Sequence, residues 1–183
     1  VFALPYLFDS GLQAVQVMQD PDVRAITDQS AADMGYVILS WWNFGERNVI
    51  NTKHAINTPD DLKGIKIRVM QSASLVKAME ALGASPVSMA WTECYTAMQQ
   101  GTIDAVENST PIITSNGFNE LAKYYAFTKH FIVSDPVFMS KVVYDALPAD
   151  LQEAVIQAGK AAEANWNDTL WPAAEEKELN TMK

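Results

Sequence analysis

The chain reads as an α/β protein built around a parallel sheet, and three observations in residues 65–108 predict it. The apolar period there switches from two to about 3.6 and back, twice. Each helical stripe is closed by a glycine, Gly83 and then Gly101. Strand, helix, strand, helix, strand are completed in about forty-five residues, a rhythm that needs parallel strands because each helix carries the chain back before the next strand begins. With 49% hydrophobic residues in 183, the chain can bury a real core, as one large domain or two small lobes.

Taken in order, Asp9-Ser10 can cap a short helix over residues 12–19, and Asp20-Pro21 caps a second that runs to about Met34. Residues 36–42 form a continuous apolar run, the pattern of a strand buried on both faces. Residues 43–47 break that pattern, and 48–56 read as extended. Thr58-Pro59-Asp60-Asp61 places a cap, a proline at the first helical position and acids in the first turn, giving a single turn before Gly64. Ile65, Ile67 and Val69 then alternate with Lys66, Arg68 and Met70, a strand that leaves Arg68 near its carboxyl end. Leu75, Val76, Met79 and Leu82 make a helical stripe, residues 86–89 a short strand, 91–100 a helix, and 103–107 a strand that delivers Asn108. Further on, residues 111–118 suit a short helix and 124–132 an aromatic strand. Residues 137–139 with Val142 and Val143 suit another strand. Leu147-Pro148-Ala149-Asp150 opens a long amphipathic helix that passes Trp166 and reaches about Leu170 or beyond Pro172. Trp41 and Trp42 read as core.

Charge narrows the function. A formal net charge of -9 sets up a field that repels nucleic acid and anionic membrane surfaces. No run approaches the roughly 18 apolar residues of a membrane span. The single Cys94 excludes an internal disulfide and a cysteine metal cluster. His54 and His130 stand far apart and neither belongs to a metal-binding motif, so no metal or other cofactor is expected. Phosphate-cradling glycine loops and the G-x-S-x-G elbow are absent, and Asp60-Asp61 and Glu175-Glu176 read as solvated helix ends, so the chain is not expected to be an enzyme.

In so acidic a chain an anionic ligand needs a local basic site, and the arginines are Arg24, Arg47 and Arg68. Ligands of open parallel sheets bind at the carboxyl ends of the strands, where Arg68, Trp91 and Asn108 are expected. The Arg68 fork matches a carboxylate with two parallel hydrogen bonds, although an exposed strand-end arginine in a surface ion pair fits the same residues. Asn108 can donate to a carboxylate or cap the helix that follows. Trp91 is either an aromatic wall of a pocket or a core residue.

The pieces TPDDLKGIKIRV, ALGASPVSMAW and ECYTAMQQGTIDAVEN, with the lead-in WWNFGERN and the later ALPADLQEAV, resemble the solute-binding protein of tripartite ATP-independent periplasmic (TRAP) transporters, the dicarboxylate-binding (DctP) type. The resemblance implies a two-lobed α/β fold like that of periplasmic binding proteins, with mixed sheets, a ligand cleft between the lobes and a long helix near the carboxyl end. It places the remainder of a first lobe in residues 1–45 and 134–170, with the crossing near Gly45. It places a second lobe with the carboxylate-binding residues in 46–133, and the end of the long helix or a tail in 171–183. The first lobe is expected to be incomplete, because Val1 stands where the family already has its first strands behind it. Residue by residue, the resemblance makes Arg68 the salt bridge to the ligand carboxylate and Asn108, beside Glu107, a ligand contact. Arg47 becomes a second contributor to the positive pocket, partly neutralised by Glu46, and Trp91 an aromatic wall. Gln71 and Ser72 stand in a turn that contacts ligand and usually contains proline. The implied function is extracytoplasmic, periplasmic capture of an organic acid for delivery to TRAP membrane subunits. A ligand-sensing domain of a receptor is the alternative, and an α/β enzyme a further one that neither histidine supports with a neighbouring nucleophile.

Overall fold

The computed structural model describes residues 4–182; Val1 and Lys183, the outer ends of the segments 1–45 and 171–183, lie outside the described residues, as do Phe2 and Ala3. In chain order the elements are α1 (Gly11–Gln19), α2 (Pro21–Asp33), β1 (Tyr36–Asn51), a 3₁₀ turn (Pro59–Leu62), β2 (Lys66–Val69), α3 (Ala73–Ala81), β3 (Ser85–Ser88), α4 (Trp91–Gln99) and β4 (Ala105–Asn108). They continue with α5 (Thr110–Ser115), α6 (Phe118–Leu121), β5 (Tyr124–Ser140), α7 (Lys141–Asp145), α8 (Ala149–Asn165), a π-helical segment (Trp166–Leu170) and α9 (Trp171–Thr181). The chain divides into two compact units, one of residues 4–7, Glu46–Ile132 and 175–182, the other of Phe8–Gly45 and Val133–Ala174.

The first unit carries the parallel core of a mixed sheet ordered β3-β2-β4-β1-β5. β2 runs parallel to β3 and β4, with Arg68 opposite Val87 and Val106, while β1 returns antiparallel to β4 with Asn48 opposite Asn108. The period-two pattern then sorts side chains to two faces. Ile67, Val69 and Ala105 pack with Leu75 and Met79 of α3. Val106 and Ile50 pack on the other face with Cys94, Met98, Ile113 and Phe118 of the helices after β3 and β4. Ile67, Ile103 and Phe118 are almost wholly buried, each such side chain stabilising the unit by about 1.5–3 kcal/mol. Residues 4–7, expected with 8–45, belong here because the Tyr6 N–H donates to the His130 carbonyl at 3.1 Å. Residues 175–182, expected as a helix end or tail, belong here too, with Met182 packed against the Ile50–Phe118 cluster.

In the second unit α1 starts at Ser10, whose hydroxyl accepts from the Gln13 N–H at 3.1 Å, and α2 starts at Asp20, whose carboxylate accepts from Asp22 at 3.0 Å. Met18, Ala31, Ile38 and Trp41 form its core. Side chains from the end of α8 and the π-helical segment bind the β1 backbone: Glu163 accepts from the Trp41 N–H at 2.6 Å, and Asn167 accepts from Asn43 at 2.7 Å and donates to Trp41 O at 3.0 Å. Trp42 stacks on Trp166 with centroids 4.6 Å apart.

Four local expectations are corrected. The break at residues 43–47 does not end the strand, because Gly45 takes φ +72°, open to glycine, and its N–H donates to the Asn43 side chain at 2.7 Å, so β1 continues to Asn51. Residues 36–42 are not buried on both faces: Tyr36 is 41% exposed, and Val37, Ile38 and Leu39 line a cavity of about 640 Å³. Val142 and Val143 are not in a strand; β5 runs on through Pro136 to Ser140, and the Lys141–Asp145 pair at 2.7 Å closes a helical turn that leaves Val142 79% exposed. The helix over 111–118 is split at Gly117, φ +74°.

Candidate functional site

The carboxyl ends of β2, β3 and β4 lie side by side, and β1 enters the same edge from the opposite direction, so Arg68, Met89, Glu107, Asn108 and Arg47 meet within the first unit. The pairing register puts Arg68 and Asn108 on the face of Val106, and Glu107 on the opposite face with Ala105.

Arg68 is 5% exposed, which removes the reading of an exposed surface ion pair. Its Nε and Nη2 both donate to the Met89 carbonyl, at 3.0 and 2.9 Å, and its guanidinium carbon lies 5.2 Å from the centre of the Trp91 ring. No carboxylate lies within ion-pair distance of it among the described residues, and Nη1 has no partner there. Burial is the chief cause that lowers its pKa from the ordinary arginine value, and the neighbouring Arg47 adds to it. The Met89 carbonyl holds one edge of the fork, so the outer Nη1–Nη2 edge remains to offer two parallel N–H groups. Trp91 is half-buried, tilted against Phe118 at 5.1 Å and donating from Nε1 to Asn116 at 3.2 Å, so it both closes the core and forms the floor beneath Arg68.

Arg47 and Glu107 are placed otherwise than the resemblance implies. Glu107 is 1% exposed, and its carboxylate accepts from Arg47 Nε at 2.5 Å and Nη2 at 2.8 Å, with His130 Nε2 at 3.3 Å. Burial opposes the charge on Glu107, but the Arg47 guanidinium and the hydrogen bonds from Arg47 and His130 outweigh it and hold the pKa at about 2. Arg47 is neutralised by Glu107 and not by Glu46, which pairs with Lys129 at 2.9 Å. Arg47 Nη1 donates to the Asn108 carboxamide oxygen at 3.1 Å, and the Ser109 N–H donates to the same oxygen at 2.9 Å. Asn108 is therefore not the cap of α5; that position is Ser109, whose side chain makes no capping bond. Gln71 is exposed, and Ser72 is half-exposed with its hydroxyl 2.9 Å from that of Ser74.

The model of bacterial extracellular solute-binding proteins, family 7, matches residues 1–183. The chain belongs to that family. Among its relatives is the 2,3-diketo-L-gulonate-binding periplasmic protein of Escherichia coli, 31% identical over 180 residues, 98% of this chain and 54% of that protein. Among solved structures, a TRAP periplasmic solute-binding protein from Sulfitobacter sp. NAS-14.1 with bound β-D-galacturonate superposes with a TM-score of 0.94 at 32% identity, covering 99% of this chain and 60% of the other. A TRAP periplasmic solute-binding protein from Chromohalobacter salexigens with bound D-glucuronate gives 0.94 at 28% identity over 98% and 59%. The chain spans about half the length of the curated relatives it matches. Family members named here are solute-binding proteins rather than enzymes, and the α/β fold with a mixed sheet and long carboxyl-terminal helix is theirs.

Two residues of the site carried no sequence signal. His130 is fully buried between Glu107 and Thr128, whose hydroxyl lies 2.7 Å from Nδ1. Its place in an aromatic strand reads as core, and only the β1–β5 neighbourhood brings it to Glu107. The Met89 carbonyl that orients Arg68 is a backbone atom and leaves no mark on composition. Among the described residues no group of acidic, histidine or cysteine side chains is arranged to hold a metal ion, and no helix is long and apolar enough to cross a membrane.

Proposed function

We propose that this chain is the ligand-anchoring part of a periplasmic solute-binding protein that captures an organic acid by its carboxylate and delivers it to TRAP membrane subunits. One observation carries the reading: a guanidinium 5% exposed, at the carboxyl end of a central parallel strand, with no carboxylate within ion-pair distance among the described residues. A buried cation without a counter-charge is costly, and a bound carboxylate relieves that cost with two charge-assisted hydrogen bonds. In this reading Arg68 anchors the carboxylate, Asn108 donates to a neighbouring oxygen, Trp91 receives the apolar body, and Gln71 and Ser72 border the site. Arg47 and Glu107 support Asn108 instead of touching ligand. The bound sugar acids of the family's solved structures agree with a carboxylate ligand. Native mass spectrometry of the full-length protein, purified without denaturation, tests it. The expected result is a co-purified acid of a few hundred daltons or less that exchanges with added uronate; a co-purified cation or a neutral sugar contradicts it.

A further inference from the structure

We propose that Arg47, held by Glu107, is a positioning residue that fixes the Asn108 carboxamide as a donor, so that the site takes acids bearing an acceptor oxygen beside the carboxylate and rejects acids bearing an ammonium there. The inference rests on the reading of Arg68 and Asn108 as ligand-binding residues. A carboxamide oxygen has two lone pairs, and at Asn108 both are taken, by Arg47 Nη1 at 3.1 Å and the Ser109 N–H at 2.9 Å. Turning the amide over sets its own N–H groups against these two donors, so the orientation is determined. The Asn108 amide nitrogen has no partner among the described residues.

Arg47 cannot swing away to release Asn108. Its Nε and Nη2 reach both oxygens of Glu107, Nη2 also donates to the Glu107 carbonyl at 2.9 Å, and Glu107 is held in turn by His130, whose Nδ1 lies 2.7 Å from the Thr128 hydroxyl. The same network removes the nearest acceptor: the Glu107 carboxylate is 1% exposed and fully engaged, and the Met89 carbonyl is occupied by Arg68. What Arg68 and Asn108 present is N–H groups. A hydroxyl or carbonyl oxygen finds a donor there, whereas an ammonium finds donors and the Arg68 guanidinium, which has no carboxylate within ion-pair distance among the described residues.

The test is calorimetric titration of the full-length protein with matched acids that differ by one group, D-gluconate against D-glucosaminate and L-malate against L-aspartate. The hydroxy acid of at least one pair is expected to bind about tenfold to a hundredfold more tightly than its amino partner. In Arg47→Lys, which keeps a charge beside Glu107 but cannot reach Asn108 as well, that ratio collapses to within about threefold. In Asn108→Asp the order inverts. A merely structural Arg47 lowers the unfolding midpoint but leaves the ratio as in wild type, which overturns the proposal, as does wild type binding the amino acid of both pairs as well as its hydroxy partner. Nuclear Overhauser contacts of the Asn108 amide protons give a ligand-free check: a strong contact with the Ser109 N–H shows the amide turned over and refutes the lock. Failure of the anchoring reading is separate, since it appears as Arg68→Ala binding normally while the hydroxy-to-amino ratio still responds at Asn108.

Discussion

Replacing Glu107 by glutamine exchanges one carboxylate oxygen for an amide and removes the only counter-charge within ion-pair distance of Arg47 among the described residues. Glu107 is 1% exposed and Arg47 7%, so solvent cannot take over either role. The magnitude follows from linkage: the carboxyl is held at about 2 against an ordinary 4.5, and at about 1.4 kcal/mol per pH unit that difference is worth about 3 kcal/mol of stability at neutral pH. Stranding a buried guanidinium costs a similar ~3–5 kcal/mol. The sign is fixed by the depressed folded value: the stabilisation is complete above about pH 4.5 and is lost as pH falls towards about 2. Urea denaturation of the full-length protein and its Glu107→Gln variant, at a series of pH values from 7 to 3, should therefore show a gap of about 3 kcal/mol or more at pH 7 that narrows below pH 4.5. A gap under about 1 kcal/mol at pH 7, or one that does not change with pH, refutes the reasoning.

Other outcomes follow from contacts elsewhere. A Cβ built on Gly159 would lie 2.6 Å from the Leu39 carbonyl oxygen, so Gly159→Ala should destabilise the second unit by ~1–3 kcal/mol despite its better helix propensity, read by thermal unfolding. Trp91→Leu removes the ring under Arg68 and should weaken acid binding by about two- to thirty-fold without abolishing it, read by titration. Lys129→Ala breaks a partly exposed pair with Glu46 and should change the unfolding free energy by less than ~1 kcal/mol.

The parallel core was legible because its signals are local. Alternation at Ile65, Ile67 and Val69, the stripe from Leu75 to Leu82 and the cap at Thr58 each depend on a few neighbouring residues, and the structure has β2, α3 and the 3₁₀ turn there. Arg68 was legible as a strand-end arginine, but its burial and its Met89 partner depend on β3 and could not be read. The continuation of β1 past Gly45 leaves no sequence signal, because a pattern break looks the same whether the chain turns away or bends once through a left-handed glycine and continues. Val142 and Val143 show the converse, a β-branched pair that lies in the short helix α7. The division of labour between Arg47 and Glu107 is a matter of cross-strand register: Glu107 faces Val49 on β1, and no spacing along the chain announces that.

The central claim is that Arg68 anchors a carboxylate, and titrating the full-length protein with the acid recovered from it, beside the uncharged amide of that acid, tests this most directly. Truncating one partner of a desolvated charge pair costs ~2–5 kcal/mol, so Arg68→Ala should bind the acid roughly thirty-fold to several thousand-fold more weakly than wild type. Arg68→Lys, with the charge but not the fork, should fall between them, and the amide should bind poorly to all three. Folded Arg68→Ala that binds the acid within about threefold of wild type, or an amide that binds wild type as well as the acid does, contradicts the account.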